Sequence, residues 1–473
     1  MKLCPYCQRP IDEKWRFCHH CNKPLLTSYT NELPISSTYQ YQRNINDQSY
    51  NFEESRDFDI NIIEDDKIDK KILEIDDQIN QKPYGDGVGD LFLEKASLYF
   101  KKRDLSQSLK ELERALSSFE NENNLNKMAI THNEIGLLKE EIGYFEDSIY
   151  HFKRAINIFK NLKDNVKLIQ VYNNIGNAYY QLKDIENAYI YYQKAIELAE
   201  NENMKYEEVK SSSNMVEILF ILQDYERIKK ILKNNHQFFN EKNDIYGIIT
   251  TYSKYGKLNF YLGENYYEKS YNYLINALEL IEKVEEQLSI YLKARMRWEI
   301  YLFLGKINLL WNNFEKAETF LLNSLESVRT FEIEDDNIKE SSILEALGNL
   351  YEIMKKYDKA IEYFKLSSEI YYKFGEDSKT GELKTKIAHI YYDYLKNNID
   401  AIDYYEQALE IFMNIDYYKE IAKIHNKLGD LYLEGNITEI AINHFEIARK
   451  YYHELHDNYH IELLDEKINS LIK

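Results

Sequence analysis

The stretch YNNIGNAYYQLKDIENAYIYYQKAIELA, residues 172–199, carries two apolar stripes at helical spacing. The first stripe follows i, i+4, i+7 spacing and consists of Ile175, Tyr179 and Leu182. The second stripe follows a turn at Lys183-Asp184 and consists of Ala188, Tyr192, Ala195 and Ile196. This pattern predicts two amphipathic helices joined by a short turn. Neither helix can bury its stripe alone, so units of this kind must stack on one another.

The same pattern recurs nine times between residues 89 and 459, and nine units at such a period predict a repeat array. One position in the first half of each unit, here called the first marker, is usually a small residue. The first markers follow steps of 40 and then of 49, 43, 40 and 41 residues: Ala96, Gly136, Gly176, Val216, Gly256, Gly305, Gly348, Ala388 and Gly429. A second marker follows nineteen to twenty-one residues later, at Ala115, Ala155, Ala195, Asn235, Ala277, Ser324, Ser367, Ala408 and Ala448.

The units resemble the tetratricopeptide repeat, which has L-G-x-x-Y in its first helix and A-x-x-x-F/Y-x-x-A in its second, and two of them match it directly. The first motif stands at 347–351 (LGNLY) and at 428–432 (LGDLY). The second motif stands at Ala360 and Phe364, and again at Ala441, Phe445 and Ala448. A period near 40 exceeds the usual one of about 34. It resembles the long-helix subclass of G-protein regulators, kinesin light chains and bacterial peptide-sensing regulators. The resemblance implies an all-α fold, a superhelical solenoid of helix-turn-helix units.

The resemblance also implies a binding groove, because the first helices of such repeats line the concave side of the solenoid. In the resembled family, asparagines beside the marker hold extended or helical peptides. The candidate groove residues are Asn133, Asn173, Asn174, Asn177, Lys254 and Lys257, and further ones are Asn214, Asn349, His389, Asn426 and Lys427. Asparagine amides can donate to and accept from a peptide backbone, and the two lysines can attract an acidic group. Alternatively, these are ordinary exposed polar residues of an asparagine-rich chain.

Composition favours helices and argues against two kinds of partner. The chain of 473 residues has only 5 prolines and 15 glycines, which favours an all-α protein over a sheet-based fold. Its formal net charge is −20 at pH 7, so nucleic acid and anionic lipid are not expected to bind the repeats. The longest apolar runs are far shorter than the ~20 residues that span a bilayer. We therefore expect a soluble, cytoplasmic protein that has no membrane partner.

All four cysteines lie in the first 21 residues and form two C-x-x-C pairs: Cys4, Cys7, Cys18 and Cys21. Such pairs can hold Zn²⁺ tetrahedrally from two tight turns, and a unit this small needs the metal in order to fold. Four unrelated cysteines or a redox pair is the alternative. No apolar run precedes the pairs, so a reducing cytosol fits them better than a secreted compartment.

The stretch CPYCQRPIDEKWRFCHHCNKPL resembles a short N-terminal zinc ribbon, whose usual form is C-P-x-C-G followed by F-C-x-x-C-G. Gln8 and Asn22 replace the two glycines of that form. The resemblance places a zinc ribbon at residues 1–26 and implies Zn²⁺ as the cofactor. His19 and His20 are alternative ligands. Four basic residues could contact nucleic acid, with a plain solvated module as the alternative: Arg9, Lys14, Arg16 and Lys23.

Two segments flank the repeats. Residues 27–88 predict an acidic, mostly disordered linker, because they lose the helical period and are polar. At the other end, HIELLDEKINSLIK at 460–473 predicts a helix that caps the last apolar face. A stripe of isoleucines in the linker could form a short helix, either a solvated tether or a segment docked in the groove of the repeats: Ile62, Ile68, Ile72, Ile75 and Ile79.

These observations favour a non-enzymatic scaffold or adaptor that binds a peptide of a partner protein in the groove. The alternative is a zinc-ribbon regulator of transcription or RNA metabolism, in which the ribbon contacts nucleic acid and the repeats sense a ligand. An unrecognised enzyme is a third hypothesis. The sequence contains no nucleophile elbow, Walker loop or kinase signature that would support it.

Overall fold

The computed structural model describes residues 2–3, 10–11, 65–81, 87–331 and 338–472. Lys2–Leu3 and Pro10–Ile11 form two short antiparallel strands, in which Lys2 lies opposite Ile11. Every other described element is helical. The four cysteines, and therefore the predicted zinc ribbon, lie outside the described residues.

Within the described residues, nine helix pairs follow one another, one for each predicted repeat, and we number them repeat 1 to repeat 9. Their first helices are Val88–Lys101, Leu125–Glu141, Asn165–Gln181, Lys205–Ile221, Ile245–Tyr261, Ile290–Leu310, Ile338–Ile353, Asp377–His389 and Tyr418–Glu434. Their second helices are Leu105–Asn121, Phe145–Leu162, Ile185–Asn201, Tyr225–Lys242, Tyr267–Lys283, Phe314–Phe331, Tyr357–Lys373, Asn398–Asn414 and Thr438–Glu454. The prediction of an all-helical repeat fold for this part of the chain is confirmed.

Short irregular helices interrupt the pairs at three places. Glu264–Tyr266 and Glu285–Gln287 are 3₁₀ turns on either side of the second helix of repeat 5. Ile390–Tyr394 is a π-helical turn that continues the first helix of repeat 8. Turns of this last type are rare and often mark functional positions.

The helices belong to two compact units. The N-terminal unit comprises Ser28–Leu258 and Lys283–Leu292, and it contains repeats 1–4. The C-terminal unit includes Asn259–Glu282 and Lys293–Lys473, and it contains repeats 7–9.

The turn inside repeats 1 to 4 places a residue of positive φ at 40-residue intervals. In repeat 3, Lys183 is left-handed, with φ of 58°, and Asp184 then caps the second helix by accepting from the Asn187 N–H at 3.1 Å. Gly143 and Gln223 hold the same left-handed position in the neighbouring repeats. A left-handed residue other than glycine costs about 1–2 kcal/mol. An N-cap contributes about 1 kcal/mol in return, so the cap offsets much of that cost.

The markers are small because the two helices of a repeat touch there. In repeat 2, a Cβ built on Gly136 would lie 2.6 Å from a ring carbon of Phe152, closer than carbon atoms approach. Gly348 meets Phe364 in the same way, and both phenylalanines are fully buried. The small markers of these two repeats therefore let the two helices approach closely.

We expect Gly348→Ala to lower the free energy of unfolding by roughly 1–3 kcal/mol, because the new methyl group overpacks the Phe364 ring. Helix propensity alone favours alanine over glycine by about 1 kcal/mol, so a net loss reports on packing. Urea unfolding of the full chain, followed by circular dichroism, measures the change. Gly435→Ala is the matched control, because its Cβ would meet its nearest neighbour at an ordinary 3.5 Å. A Gly348→Ala protein as stable as that control would contradict the close approach.

A helix at Asp65–Gln81, inside the predicted linker, packs on the first helix of repeat 1. Its buried stripe against Leu98 consists of Ile68, Ile72 and Ile75. Lys95 of repeat 1 is itself 6% exposed, and its Nζ lies 2.6 Å from Asp76 Oδ1 and 3.5 Å from Glu111 Oε1. The sequence left open whether this stripe is a solvated tether or docks in the groove, and in the structure it packs on the first helix of repeat 1.

The chain closes with the helix Asn458–Ile472. Three of its residues are buried in one cluster with Phe445 and Tyr452 of repeat 9: Ile461, Leu464 and Ile468. The outer side of this helix stays in solvent, where Tyr459 is 68% exposed. A helix that is apolar on one side only can end a stack of repeats.

Candidate functional site

Polar side chains of successive first helices contact each other in the N-terminal unit. Asn174 of repeat 3 donates through Nδ2 to Asn133 Oδ1 of repeat 2 at 3.0 Å. Asn214 of repeat 4 donates in the same way to Asn173 Oδ1 of repeat 3 at 3.3 Å. Each donor lies two residues before the first marker of its repeat, and each acceptor lies three residues before the preceding first marker. We call such a side-chain contact between one first helix and the next, or between the first helix of repeat 9 and the last helix, a rung.

These asparagines are buried, and further hydrogen bonds fix them. The exposed fraction is 8% for Asn133 and 4% for Asn173. Asn173 Nδ2 also donates to Ser211 Oγ at 2.9 Å, and the Tyr192 hydroxyl donates to Asn177 Oδ1 at 3.3 Å. Buried amides must find such partners, because an unpaired buried polar group costs about 1–3 kcal/mol. The alternative that these asparagines are ordinary exposed polar residues is therefore wrong for Asn133, Asn173 and Asn177.

The next rung of the N-terminal unit is ionic. Glu217 follows the first marker of repeat 4 directly, and it forms ion pairs with both Lys254 and Lys257 of repeat 5. Lys257 Nζ lies 2.8 Å from Glu217 Oε2 and 4.7 Å from the ring centroid of Phe220. Burial acts to raise the pKa of Glu217, but the two ammonium groups outweigh it and hold that pKa well below its usual value. The carboxylate is therefore charged at neutral pH.

Rungs recur in the C-terminal unit with lysine as the donor. Lys386 of repeat 8 donates to Asn349 Oδ1 at 2.8 Å and to Glu345 Oε1 at 3.2 Å, both in repeat 7. Lys467 of the last helix donates to Asn426 Oδ1 at 3.2 Å. The same lysine also donates to Asp430 Oδ1 of repeat 9, at 2.6 Å. In each of these two rungs, one acceptor lies three residues before a first marker and the other acceptor lies one residue after it. The pKa of Glu345 is lowered because nearby lysines outweigh the effect of its burial.

Two repeats carry a histidine pair between their first and second helices. Nδ1 of His132 lies 3.0 Å from Nδ1 of His151 in repeat 2. His425 and His444 lie 2.9 Å apart in the same way in repeat 9. Each histidine stands four residues before a marker. At that separation one ring donates and the other accepts, so the accepting imidazole of each pair is neutral.

Burial and neighbouring charge hold these pairs neutral. Burial is the main cause that lowers the pKa of His132 to about 4, and His151 and Arg154 lower it further. Burial likewise lowers the pKa of His425 to about 4. Among the described residues, no group of three or more His, Cys, Asp or Glu side chains is arranged to hold a metal ion.

The structure thus brings together several of the predicted site residues. Asn133 meets Asn174, and Lys254 shares a carboxylate with Lys257. Sequence reasoning did not identify the partners that complete the rungs: Glu217, Lys386 and Lys467. The repeat spacing could have identified two of them, because Lys386 lies 41 residues after Glu345 and Lys467 lies 41 residues after Asn426. No described helix is both long and apolar enough to cross a bilayer.

Comparison with known proteins identifies the repeat type in two segments of the chain. Residues 127–201 match the tetratricopeptide repeat family, and residues 316–468 match the family of soluble NSF attachment proteins, SNAP. No curated protein matches the chain. The family matches, together with the helix pairs, support a protein of the tetratricopeptide repeat type.

Several solved structures are similar to the chain at low sequence identity. The apo form of the quorum sensor NprR from B. thuringiensis is 14% identical, with a TM-score of 0.51, over 74% of this chain and 97% of that one. The apo form of RapI is 15% identical, with a TM-score of 0.46, over 74% and 98%. A STAND protein with a tetratricopeptide repeat sensor from Pyrococcus horikoshii is 16% identical, with a TM-score of 0.43. That match covers 89% of this chain but only 57% of the STAND protein.

Proposed function

We propose that this chain is a non-enzymatic interaction protein that binds a peptide segment of a partner protein along its first helices, in the groove predicted from the sequence. Repeat arrays offer extended surfaces on which each repeat contributes the same positions. The rungs place amide and charged groups at such positions at steps of about 40 residues. A peptide that lies along the first helices of the N-terminal unit would meet a similar set of groups at each of its rungs.

One observation carries the proposal. Asn214 is 2% exposed and its Nδ2 is used in a rung, but its Oδ1 is buried without a hydrogen-bond partner among the described residues. A buried carbonyl in this state costs about 1–3 kcal/mol. A peptide N–H is the donor that would remove this cost. The matches to the tetratricopeptide repeat family support the proposal, and so does the fold shared with a quorum sensor.

Peptide selection tests the function directly. A random peptide library displayed on phage is panned on the full-length protein, and the affinities of selected peptides are measured by calorimetry. We expect Asn214→Leu to weaken binding about tenfold or more, because it removes the acceptor and keeps the shape. Asn240→Ala, on the exposed side of a second helix, is the control and should leave affinity unchanged. Failure to select any peptide, or equal binding by Asn214→Leu, would overturn the proposal.

We further propose that residues 1–26 bind one Zn²⁺ through Cys4, Cys7, Cys18 and Cys21. The strand pair Lys2–Leu3 and Pro10–Ile11 supports this arrangement, because antiparallel strands bring together the two ends of the segment that holds the first C-x-x-C pair. The donor set suits zinc, since four thiolates are a common structural zinc site.

Metal analysis by mass spectrometry tests this proposal. We expect about one zinc per chain in the purified protein and a large loss of zinc in Cys7→Ser, because three thiolates hold the ion less tightly than four. Cys7→His keeps a possible ligand and should retain more zinc than Cys7→Ser. An unchanged or absent zinc content in all three proteins would contradict the site.

A further inference from the structure

The histidine pair of repeat 9 brings ring nitrogens of two helices together. His425 belongs to the first helix and His444, nineteen residues later, to the second. Their Nδ1 atoms lie 2.9 Å apart, and His425 is 8% exposed. His444 is only partly buried, so solvent can reach its ring. An imidazole nitrogen that carries no proton is the commonest metal ligand in proteins.

The distance between the two nitrogens selects a coordination geometry. Histidine nitrogens lie about 2.0 Å from a bound divalent transition metal. Two nitrogens 2.9 Å apart therefore fit an angle of about 90° at such an ion. A tetrahedral ion needs a separation of about 3.3 Å, whereas neighbouring ligands of tetragonal ions stand at about 90°. The pair thus suits an ion such as Cu²⁺ or Ni²⁺ without a movement of either helix.

The protons of the pair can be rearranged to free both nitrogens. In the hydrogen-bonded pair, one ring keeps its proton on Nδ1 and donates it to the other. A neutral imidazole can carry that proton on Nε2 instead, which leaves a lone pair on Nδ1. Burial is the main cause that lowers the pKa of both rings, that of His425 to about 4. Both rings are therefore neutral at pH 7.5, and an ion can bind there without releasing a proton.

The equivalent pair of repeat 2 has the same geometry among opposing charges. Nδ1 of His132 lies 3.0 Å from Nδ1 of His151. Arg154 acts to lower the pKa of both rings, and Lys139 acts to lower that of His151. Asp147, which pairs with Lys139 at 3.2 Å, offsets part of this charge. The remaining positive charge opposes a bound metal ion at repeat 2.

Repeat 9 has uncharged residues at the positions of those two cations. Ile447 stands where repeat 2 has Arg154. Tyr432 stands where repeat 2 has Lys139. The Tyr432 ring stacks on that of His444, with centroids 5.3 Å apart and planes 10° apart. Because the face of an aromatic ring attracts positive charge, this neighbour favours a cation where Lys139 opposes one.

We propose that His425 and His444 chelate a divalent transition-metal ion of tetragonal preference, of the class of Cu²⁺ and Ni²⁺, through their two Nδ1 atoms. The pair supplies two neighbouring ligands, and water supplies the others, because the described residues contain no group of three or more such side chains arranged around an ion. Each ligand comes from a different helix, so the ion ties the two helices of repeat 9 together. The site is independent of the proposed peptide groove and of the four cysteines.

Nuclear magnetic resonance of the full-length protein with ¹⁵N-labelled histidine tests the site. Ni²⁺ is titrated at pH 7.5, and the two signals are assigned by their loss in His425→Gln and in His444→Gln. We expect both signals to shift or broaden saturably. The signals of His132 and His151 should respond only at about tenfold higher Ni²⁺ or more, because of the positive charge at repeat 2.

Variants separate chelation from a structural role. His425→Tyr combined with His444→Tyr copies the tyrosine pair of repeat 3, and it should remove most of the Ni²⁺-dependent rise in the urea midpoint. Metal held by the cysteines is common to both proteins, so the difference belongs to the pair. Ile447→Arg adds the charge of repeat 2 beside intact ligands and should weaken binding about tenfold. The matched control is His132→Tyr combined with His151→Tyr, which should leave binding at repeat 9 unchanged.

The exposed histidines His453 and His456 supply an internal reference for weak surface binding. If their signals respond to Ni²⁺ before those of His425 and His444, the pair is a hydrogen bond and not a metal site. An equal rise of the urea midpoint in the wild type and in the tyrosine variant of repeat 9 would overturn the proposal as well. Equal occupation of the pairs in repeats 2 and 9 would overturn the assignment of the site to repeat 9.

Discussion

Glu217→Ala is expected to lower the free energy of unfolding by about 3–5 kcal/mol, more than any other single charge removal in the described part of the N-terminal unit. The glutamate forms ion pairs with Lys254 and Lys257, and Lys254 is only 5% exposed. Without the carboxylate, two ammonium groups remain close together in a site with little water. Breaking a buried ion pair costs more than the pair itself contributes, because the remaining charge loses its compensation.

Urea unfolding of the full chain at neutral pH measures this loss. Glu74→Ala is the matched control, since its pair with Lys70 is exposed at 60% and 79% and should be worth under about 1 kcal/mol. A second variant removes the whole cluster by combining Glu217→Leu with Lys254→Met and Lys257→Met. It should recover most of the stability, because apolar groups of similar volume often replace buried ion pairs without loss. A Glu217→Ala protein no less stable than the control would show that the lysines find other compensation.

Acidification is expected to destabilise the protein between pH 6.5 and about 4, through the two histidine pairs. The pKa of His132 and of His425 is lowered from 6.5 to about 4 in the folded chain. In that window the unfolded chain binds protons that the folded chain does not, so the free energy of unfolding falls as pH falls. The full contribution is present above pH 6.5. Each shift corresponds to about 3 kcal/mol, at 1.36 kcal/mol per pKa unit.

The groups that surround each pair set the size of this effect. His132 faces His151 and Arg154, while His151 also faces Lys139 and Asp147. His425 faces His444 and lies among tyrosine rings. Positive neighbours make the charged form of the repeat 2 pair still less favourable. Asp147 alone acts in the opposite direction on His151.

Repeat 3 supplies the control for this pH dependence. Tyr172 and Tyr191 occupy the equivalent positions there, with ring centroids 5.6 Å apart. His132→Tyr combined with His151→Tyr should therefore fit repeat 2 and remove its share of the pH dependence. Urea unfolding at a series of pH values from 4 to 7.5 gives the comparison. If the slopes of the wild-type and the double variant coincide, the pair titrates normally and the prediction fails.

The helix pairs were predictable from the sequence because the same positions are buried in each successive repeat. Gly136 and Gly348 mark the closest approach of two helices, and a position that is buried in every unit stays small or apolar. The left-handed turn before Asp184 also has a local signal, since a capping residue follows it directly. Such features depend on contacts between residues of the same repeat, and the residue pattern within one repeat is enough to predict them.

The rungs were not predictable to the same degree, because they depend on how one first helix is staggered against the next. Asn174 could face Asn133 or an adjacent turn, and periodicity does not distinguish these registers. The sequence therefore identified Lys254 and Lys257 as candidates but not Glu217, which neutralises them. The packing of Asp65–Gln81 on repeat 1 was not predictable either, because its apolar stripe is compatible with both a solvated tether and a packed helix.

The docked helix Asp65–Gln81 has a consequence for how copies of this chain behave in concentrated solution. A stack of repeats ends on a face built to receive another helix, and two identical chains could in principle join there head to tail into filaments. The helix occupies that face with its isoleucines and turns Lys70 and Glu74 outward. It therefore keeps that apolar face covered, and a chain trimmed to begin at repeat 1 would expose it to solvent and to other copies.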